Sequence, residues 1–417
     1  MTDWNILDAV AVVLGLTAAF AYINHRFIGL PRNSGLLVLA LALSVLLHLV
    51  EALAPGLKLG PALRHKLEAV DFPSLLLHGF LGFLIFAGAI DVDVRGLIER
   101  KWTILALATI GVLISTALVG AGMWGISLLL GLNVPWLYCF AFGALISPTD
   151  PVTVLGVLRG ARVPERLQAI VAGESLFNDG IGIALFAVLA SAAANDAPPS
   201  LAQGALEFLR QAGGGTVLGF ITGAIALVAM RGIDEYRIEL LISLTLVTGT
   251  YGLAETFGVS GPMAIVVAAL MMASIGVRYA VSGTTHDYLQ KFWALVDELL
   301  NALLFLLIGL EFAAIPLGWS YAAAALAAIP LALAIRAVSI AIAGAPLNLA
   351  APYKLRSIAL LTWSGLRGGI SVALALSLPH GEFRDPLLFA CYGVVLFTML
   401  MQGLSLDRMA RRLYGPP

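Results

Sequence analysis

Apolar runs of about 20 residues follow one another along the whole chain, separated by short links that carry most of the charge. A run of that length is what a helix needs to cross the hydrocarbon core of a bilayer. A helix also satisfies its own backbone hydrogen bonds where no water is present. The chain is therefore expected to be an all-α polytopic membrane protein. Composition agrees: 60% of residues are hydrophobic and 12% charged, about half the charged share of a soluble domain. Cutting at charged and Pro/Gly/Asn clusters predicts about thirteen spans, at 5–25, 35–53, 74–92, 102–130, 136–158, 166–194, 205–230, 236–256, 261–278, 292–312, 319–344, 354–378 and 386–407.

No link is long enough for a soluble domain. The net charge of −1 gives no electrostatic footprint for nucleic acid. Cys139 and Cys391 lie far apart in apolar runs, so neither a disulfide framework nor a thiolate metal site is expected. No basic residue precedes Arg26, so the first span reads as part of the mature protein and not as a cleaved signal peptide. Most basic residues fall in the links after odd-numbered spans, among them Arg95, Arg100, Arg159, Arg162, Arg231 and Arg356, and in the tail at Arg408, Arg411 and Arg412. The excess of Lys and Arg on the cytoplasmic side predicts the N-terminus outside and the C-terminus in the cytoplasm.

Within this apolar background the sixth span carries Gly173-Glu174-Ser175-Leu176-Phe177-Asn178-Asp179-Gly180. A charge at membrane depth costs about 2.5–3.5 kcal/mol on the mildest insertion scale, which makes a buried acid there a functional candidate by default. Ser175 and Asp179 are four residues apart, as are Glu174 and Asn178, so each pair stacks on one of two adjoining helix faces. Oxygen ligands of this kind suit a hard cation.

Two other spans are interrupted. The fifth holds Ser147-Pro148-Thr149-Asp150-Pro151, and the twelfth holds Ser364-Gly365-Leu366-Arg367-Gly368-Gly369. Pro148 and Pro151 remove backbone donors, leaving the carbonyls of Ala144 and Ser147 without helical partners. Non-helical backbone at this depth must be buried in protein or line a cavity. The breaks fall at corresponding places in two oppositely oriented halves, the mark of an inverted-repeat transporter with a midplane site. Arg367 keeps its proton and needs a carboxylate. Asp150, Glu174 and Asp179 are the candidates, and Glu174 is favoured because that pairing leaves both aspartates for a cation. Arg336 is expected to snorkel to an interface. Asp297, Glu298 and Glu311 fall near the two ends of the tenth span, where interfacial exposure and function both stay open; Asp91 and Asp93 sit at the cytoplasmic end of the third span, and His48 and His78 are read as packing residues. Gly258-Val259-Ser260-Gly261 matches a nucleophile motif of intramembrane proteases, but His286 lies in a polar link and gives no dyad.

Four of these segments together resemble a known family. They are Ile146 to Val152, Gly173 to Gly180, Leu304-Phe305-Leu306-Leu307-Ile308-Gly309-Leu310-Glu311 and Thr362 to Gly369. In this order they are similar to the NhaP/NHE-type sodium–proton exchangers of the first monovalent cation:proton antiporter family. The resemblance implies two inverted six-helix repeats whose unwound helices cross, in the NhaA/NhaP-like fold. It implies a homodimer in the inner membrane, with no cofactor, and dimerisation-domain helices in residues 1–101 and, with a linker, 195–318. Core helices would occupy 102–194 and 319–417. It assigns the cation to Asp150, Ser175, Asp179 and the Thr149 carbonyl, and makes Glu174 and Arg367 a structural ion pair beside Asn178. The Asn178-Asp179 sequence is the signature associated with electroneutral exchange. Two departures stand out. Phe86-Ala87-Gly88-Ala89 lacks the third-span acid of some relatives, and the chain ends at Pro417 without the long tail of animal members, which points to a bacterial or archaeal source.

The expected activity is therefore exchange of Na+, Li+ or K+ for H+ by alternating access, with cation and proton competing for Asp179 and Asp150. The alternative is a sodium-coupled carrier of an organic anion on a similar inverted-repeat scaffold.

Overall fold

The computed structural model describes residues 6–53, 74–90, 92–150, 152–195, 200–276, 283–312, 318–344, 354–379 and 381–415, and every regular element among them is a helix. The first half runs α1 (Ile6–Ile23, continued by a wider turn over Asn24–Ile28), α2 (Arg32–Leu53), α3 (Leu75–Ile90) and the short α4 (Val94–Glu99). It continues through α5 (Lys101–Leu129), α6 (Trp136–Ile146), α7 (Val152–Gly160) and α8 (Glu165–Ala194). The second half holds α9 (Leu201–Met230), α10 (Tyr236–Phe257), α11 (Gly261–Met271), α12 (Gly283–Glu311) and α13 (Trp319–Gly344). It ends with α14 (Lys354–Trp363), α15 (Gly369–Leu376) and α16 (Arg384–Tyr414). Among the described residues, eight helices are long and apolar enough to cross a membrane, and α3 and α6 are among the shorter apolar ones.

Helix starts in the links follow local chemistry. The Asp93 carboxylate accepts from the backbone N–H groups of Arg95 (3.1 Å) and Gly96 (3.3 Å) at the start of α4. Ser200 and Gln203 form a reciprocal capping box at α9. The Ser260 hydroxyl accepts from Met263 N–H at 3.3 Å to cap α11; this serine is a helix cap. The predicted tenth span began at 292, whereas α12 starts at Gly283. Its first turns carry His286, Asp287 and Lys291, which a hydropathy cut removes but a helix tolerates.

In the membrane, helices gain little by hiding apolar surface from lipid, so close packing through small residues holds them together. The pair α5–α6 shows this. A Cβ added to Gly120 would lie 2.8 Å from the Phe140 Cα, and one on Gly143 would lie 3.0 Å from the Gly120 nitrogen. Around them pack α8, α13 and α16, with α13 lying along both α5 and α16. Another group forms from α2 on α12, α9 on α11, and α3 against both α11 and α12. The α6–α7 and α14–α15 breaks lie between these groups, beside α8.

Candidate functional site

The two interrupted helices meet at their breaks. The backbone N–H of Asp150 donates to the carbonyl of Leu366 at 2.8 Å, which links the break after α6 to the break after α14. The break after α6 leaves the carbonyls of Ser147 and Pro148 without helical donors, and the Arg367 guanidinium takes them: its Nη1 donates to the Ser147 carbonyl and to the Pro148 carbonyl, the latter at 2.7 Å. The Arg367 N–H donates to Thr398 Oγ1 of α16 at 3.1 Å. Next to it, a Cβ on Gly368 would sit 3.0 Å from Asp150 Oδ2, so glycine is what allows the carboxylate this close to the second break.

The predicted pairing of Arg367 with Glu174 is therefore corrected. Glu174, 1% exposed, receives Arg336 Nη1 of α13 in a direct ion pair. Arg336 is 8% exposed and does not snorkel to an interface. The reason is geometric. Arg367 sits inside one unwound segment and packs against the other, whose freed Ser147 and Pro148 carbonyls are its acceptors. Arg336 rises from an intact helix, where a Cβ on Gly365 of the neighbouring break would meet its Nε at 3.0 Å. Both cations are buried; one is neutralised by a carboxylate and the other by backbone dipoles.

On α8 the polar turn divides by face. Asn178, fully buried, holds the fifth-span break: Thr149 N–H donates to its Oδ1 at 3.3 Å, and its Nδ2 donates to Thr149 Oγ1 at 2.9 Å. That leaves the Thr149 hydroxyl proton for Ser175 Oγ, 2.9 Å away. Asn178→Ala should strand the Thr149 N–H and lower the stability of the folded protein by about 1–3 kcal/mol. Chemical unfolding in detergent checks this; an unchanged midpoint would mean the amide does not hold the break.

Asp179, 8% exposed, carries no hydrogen bond or ion pair to any described residue and lines a cleft. Thr149, Asp150, Gly368 and Ser371 line the same cleft. Of the predicted cation residues, Asp150, Thr149 and Asp179 thus share one cavity, while Ser175 reaches it only through Thr149. Across the cleft stand Gly88 of α3 and Asp297 and Asn301 of α12. The sequence leaves Asp297 open between an interfacial and a functional place; in the fold it lines the cleft with the two aspartates. The signal was present in its four-residue spacing to Asn301, which an apolar span does not need. The cleft continues past Gly88, Val92, Leu155 and Ala172 to a mouth lined by Asp93, Arg159, Glu165 and Gln168.

Elsewhere, His78 lies beside Glu255 at 3.4 Å, exposed, and both cysteines are buried and free. Pro151 and Asp91 lie outside the described residues, as does the side chain of His48.

Two broken helices crossing beside a polar helix, with acids facing a cleft between helix groups, define a secondary transporter of the inverted-repeat class. Residues 15–412 match the sodium/hydrogen exchanger transmembrane family, and the chain belongs to that family. It is 42% identical to the Na(+)/H(+) antiporter NhaP of Pseudomonas aeruginosa, over 98% of this chain and 97% of that one. It is 34% identical to the Na(+)/H(+) antiporter NhaH of Halobacillus aidingensis, covering 82% of this chain and 84% of the relative. The fold superposes on the sodium proton antiporter MjNhaP1 of Methanocaldococcus jannaschii at pH 8 with a TM-score of 0.77, over 98% of this chain and 99% of that structure, at 20% identity.

Proposed function

We propose that this chain exchanges Na+ for H+ across the cell membrane, with Asp179 and Asp150 as the shared cation and proton site. The observation that carries this reading is the division of acids on α8. Glu174 is neutralised by Arg336, whereas Asp179 faces the cleft beside Asp150 with no partner among the described residues. A desolvated carboxylate at this depth is neutralised either by a proton or by a metal cation, and each occupant excludes the other's charge. Thr149 and Ser175 supply neutral oxygens, and an all-oxygen set suits a hard monovalent ion. No organic-substrate pocket is needed, and family membership runs against the anion-carrier alternative.

The mouth at Arg159 and Glu165 belongs to a link rich in basic residues, which supports a cytoplasm-facing cleft, an outside N-terminus and an inner-membrane protein. The grouping of α5, α6, α8, α13 and α16 supports a core of residues 102–194 and 319–417 that moves against residues 1–101 and 195–318. The latter would dimerise, and the chain would make thirteen crossings. Asn178 cannot titrate and spends its amide on Thr149, and Glu174 is paired with Arg336, so the polar turn of α8 offers the cleft one titratable acid, Asp179, which supports a one-for-one, electroneutral cycle.

Dequenching of a pH dye in proteoliposomes, on adding Na+, Li+ and K+ in turn, tests the exchange; no response to any alkali cation ends it. For electroneutrality, an imposed membrane potential in sealed vesicles with pH clamped should drive no Na+ uptake. Potential-driven uptake would refute the one-for-one cycle.

A further inference from the structure

We infer that Asp297, held by Asn301, is a third cation-binding carboxylate of the cleft and serves only the membrane face onto which the cleft opens. The inference rests on the exchange reading above. Asn301 is 4% exposed, and its Nδ2 donates both to Asp297 Oδ1 and to the Asp297 carbonyl, each at 3.0 Å. One carboxylate oxygen is thereby fixed, and the acid lines the cavity that Asp150 and Asp179 line.

The neighbouring acid shows what an interfacial role looks like. Glu298 is exposed and pairs with Arg32 at 2.5 Å. Asp297 has no such cation among the described residues. The α3 wall offers Leu84, Ile85 and Gly88 and no carboxylate, so the charge on this side of the cleft comes from α12. Three carboxylates converging on one low-dielectric cleft, one of them the nine-tenths buried and unpartnered Asp179, raise the local concentration of a small cation.

Sidedness follows from the packing. Asp150 and Asp179 belong to the helix group of α5, α6 and α8, whereas α12 packs on α2 and α3. Alternating access slides one group against the other, so the site leaves Asp297 behind when it turns to the opposite face. Asp297 then strengthens cation capture on the cleft side alone.

The test measures initial rates of Na+-driven proton movement against Na+ concentration in inside-out and right-side-out vesicles. Asp297→Asn, nearly isosteric, should raise the apparent KM for Na+ about tenfold on the cleft side, equivalent to about 1.4 kcal/mol. The maximal rate and the KM on the opposite face should be retained, and Asp297→Glu should restore the cleft-side value. An unchanged KM on both faces, an equal rise on both, or failure of the Glu variant to restore it overturns the inference. Those results presuppose a wild-type protein that exchanges cations for protons; a wild-type protein that does not would instead overturn the underlying reading.

Discussion

Asp179→Asn should abolish cation-driven proton movement and leave a folded, homogeneous protein. The amide matches the carboxylate in shape but can neither release a proton at physiological pH nor neutralise a bound cation. Because Asp179 makes no hydrogen bond or ion pair to any described residue, its removal breaks no native interaction. It also relieves the roughly 2.5–3.5 kcal/mol that an acid costs at membrane depth, so thermal stability in detergent should hold or rise. The contrast between lost transport and kept stability is the diagnostic. A pH-dye assay in proteoliposomes gives the first quantity and an unfolding curve the second. Full exchange by this variant would remove Asp179 from the site, and a collapse of the fold would make it a structural residue.

The sequence was most legible where physics allows few solutions. An apolar run of span length has to be a helix, so α8, α9 and α13 fall within a few residues of the predicted 166–194, 205–230 and 319–344. Proline and glycine clusters inside such runs forced the two breaks, and the backbone bond from Asp150 to Leu366 is where they cross. Legibility failed where the answer depends on which donor reaches which acceptor. Three acids competed for Arg367, and spacing along one helix says nothing about a partner on another. The true acceptors were the Ser147 and Pro148 carbonyls in the break after α6, groups invisible in a list of side chains. Arg336 was misread for a related reason: distance from a span end measures depth, but not the presence of Glu174 across an interface. Asp297 likewise lies near one end of its span by count, and it faces inward because α12 begins well before the apolar run does.

Single substitution of either member of the Glu174–Arg336 pair should sharply reduce folded yield. Breaking a buried pair leaves an uncompensated charge and costs about 3–5 kcal/mol, a large part of the stability of a typical protein. Glu174→Ala leaves Arg336 buried beside Arg367, two guanidiniums with no carboxylate between them; Arg336→Ala leaves Glu174 without its direct ion pair at 1% exposure. Replacing both by apolar residues of similar volume, Glu174→Leu with Arg336→Met, removes the charges together and should recover much of the yield, since such replacements are often neutral or better. The same cycle run between Glu174 and Arg367 discriminates the two pairings. Arg367→Ala strands the carbonyls of Ser147 and Pro148 whatever occupies position 174, so part of its cost is independent of Glu174 and its coupling to position 174 should be weaker than that of Arg336. Strong coupling to position 367 and weak coupling to position 336 would return Arg367 to Glu174, and the carbonyls of Ser147 and Pro148 would then need another donor.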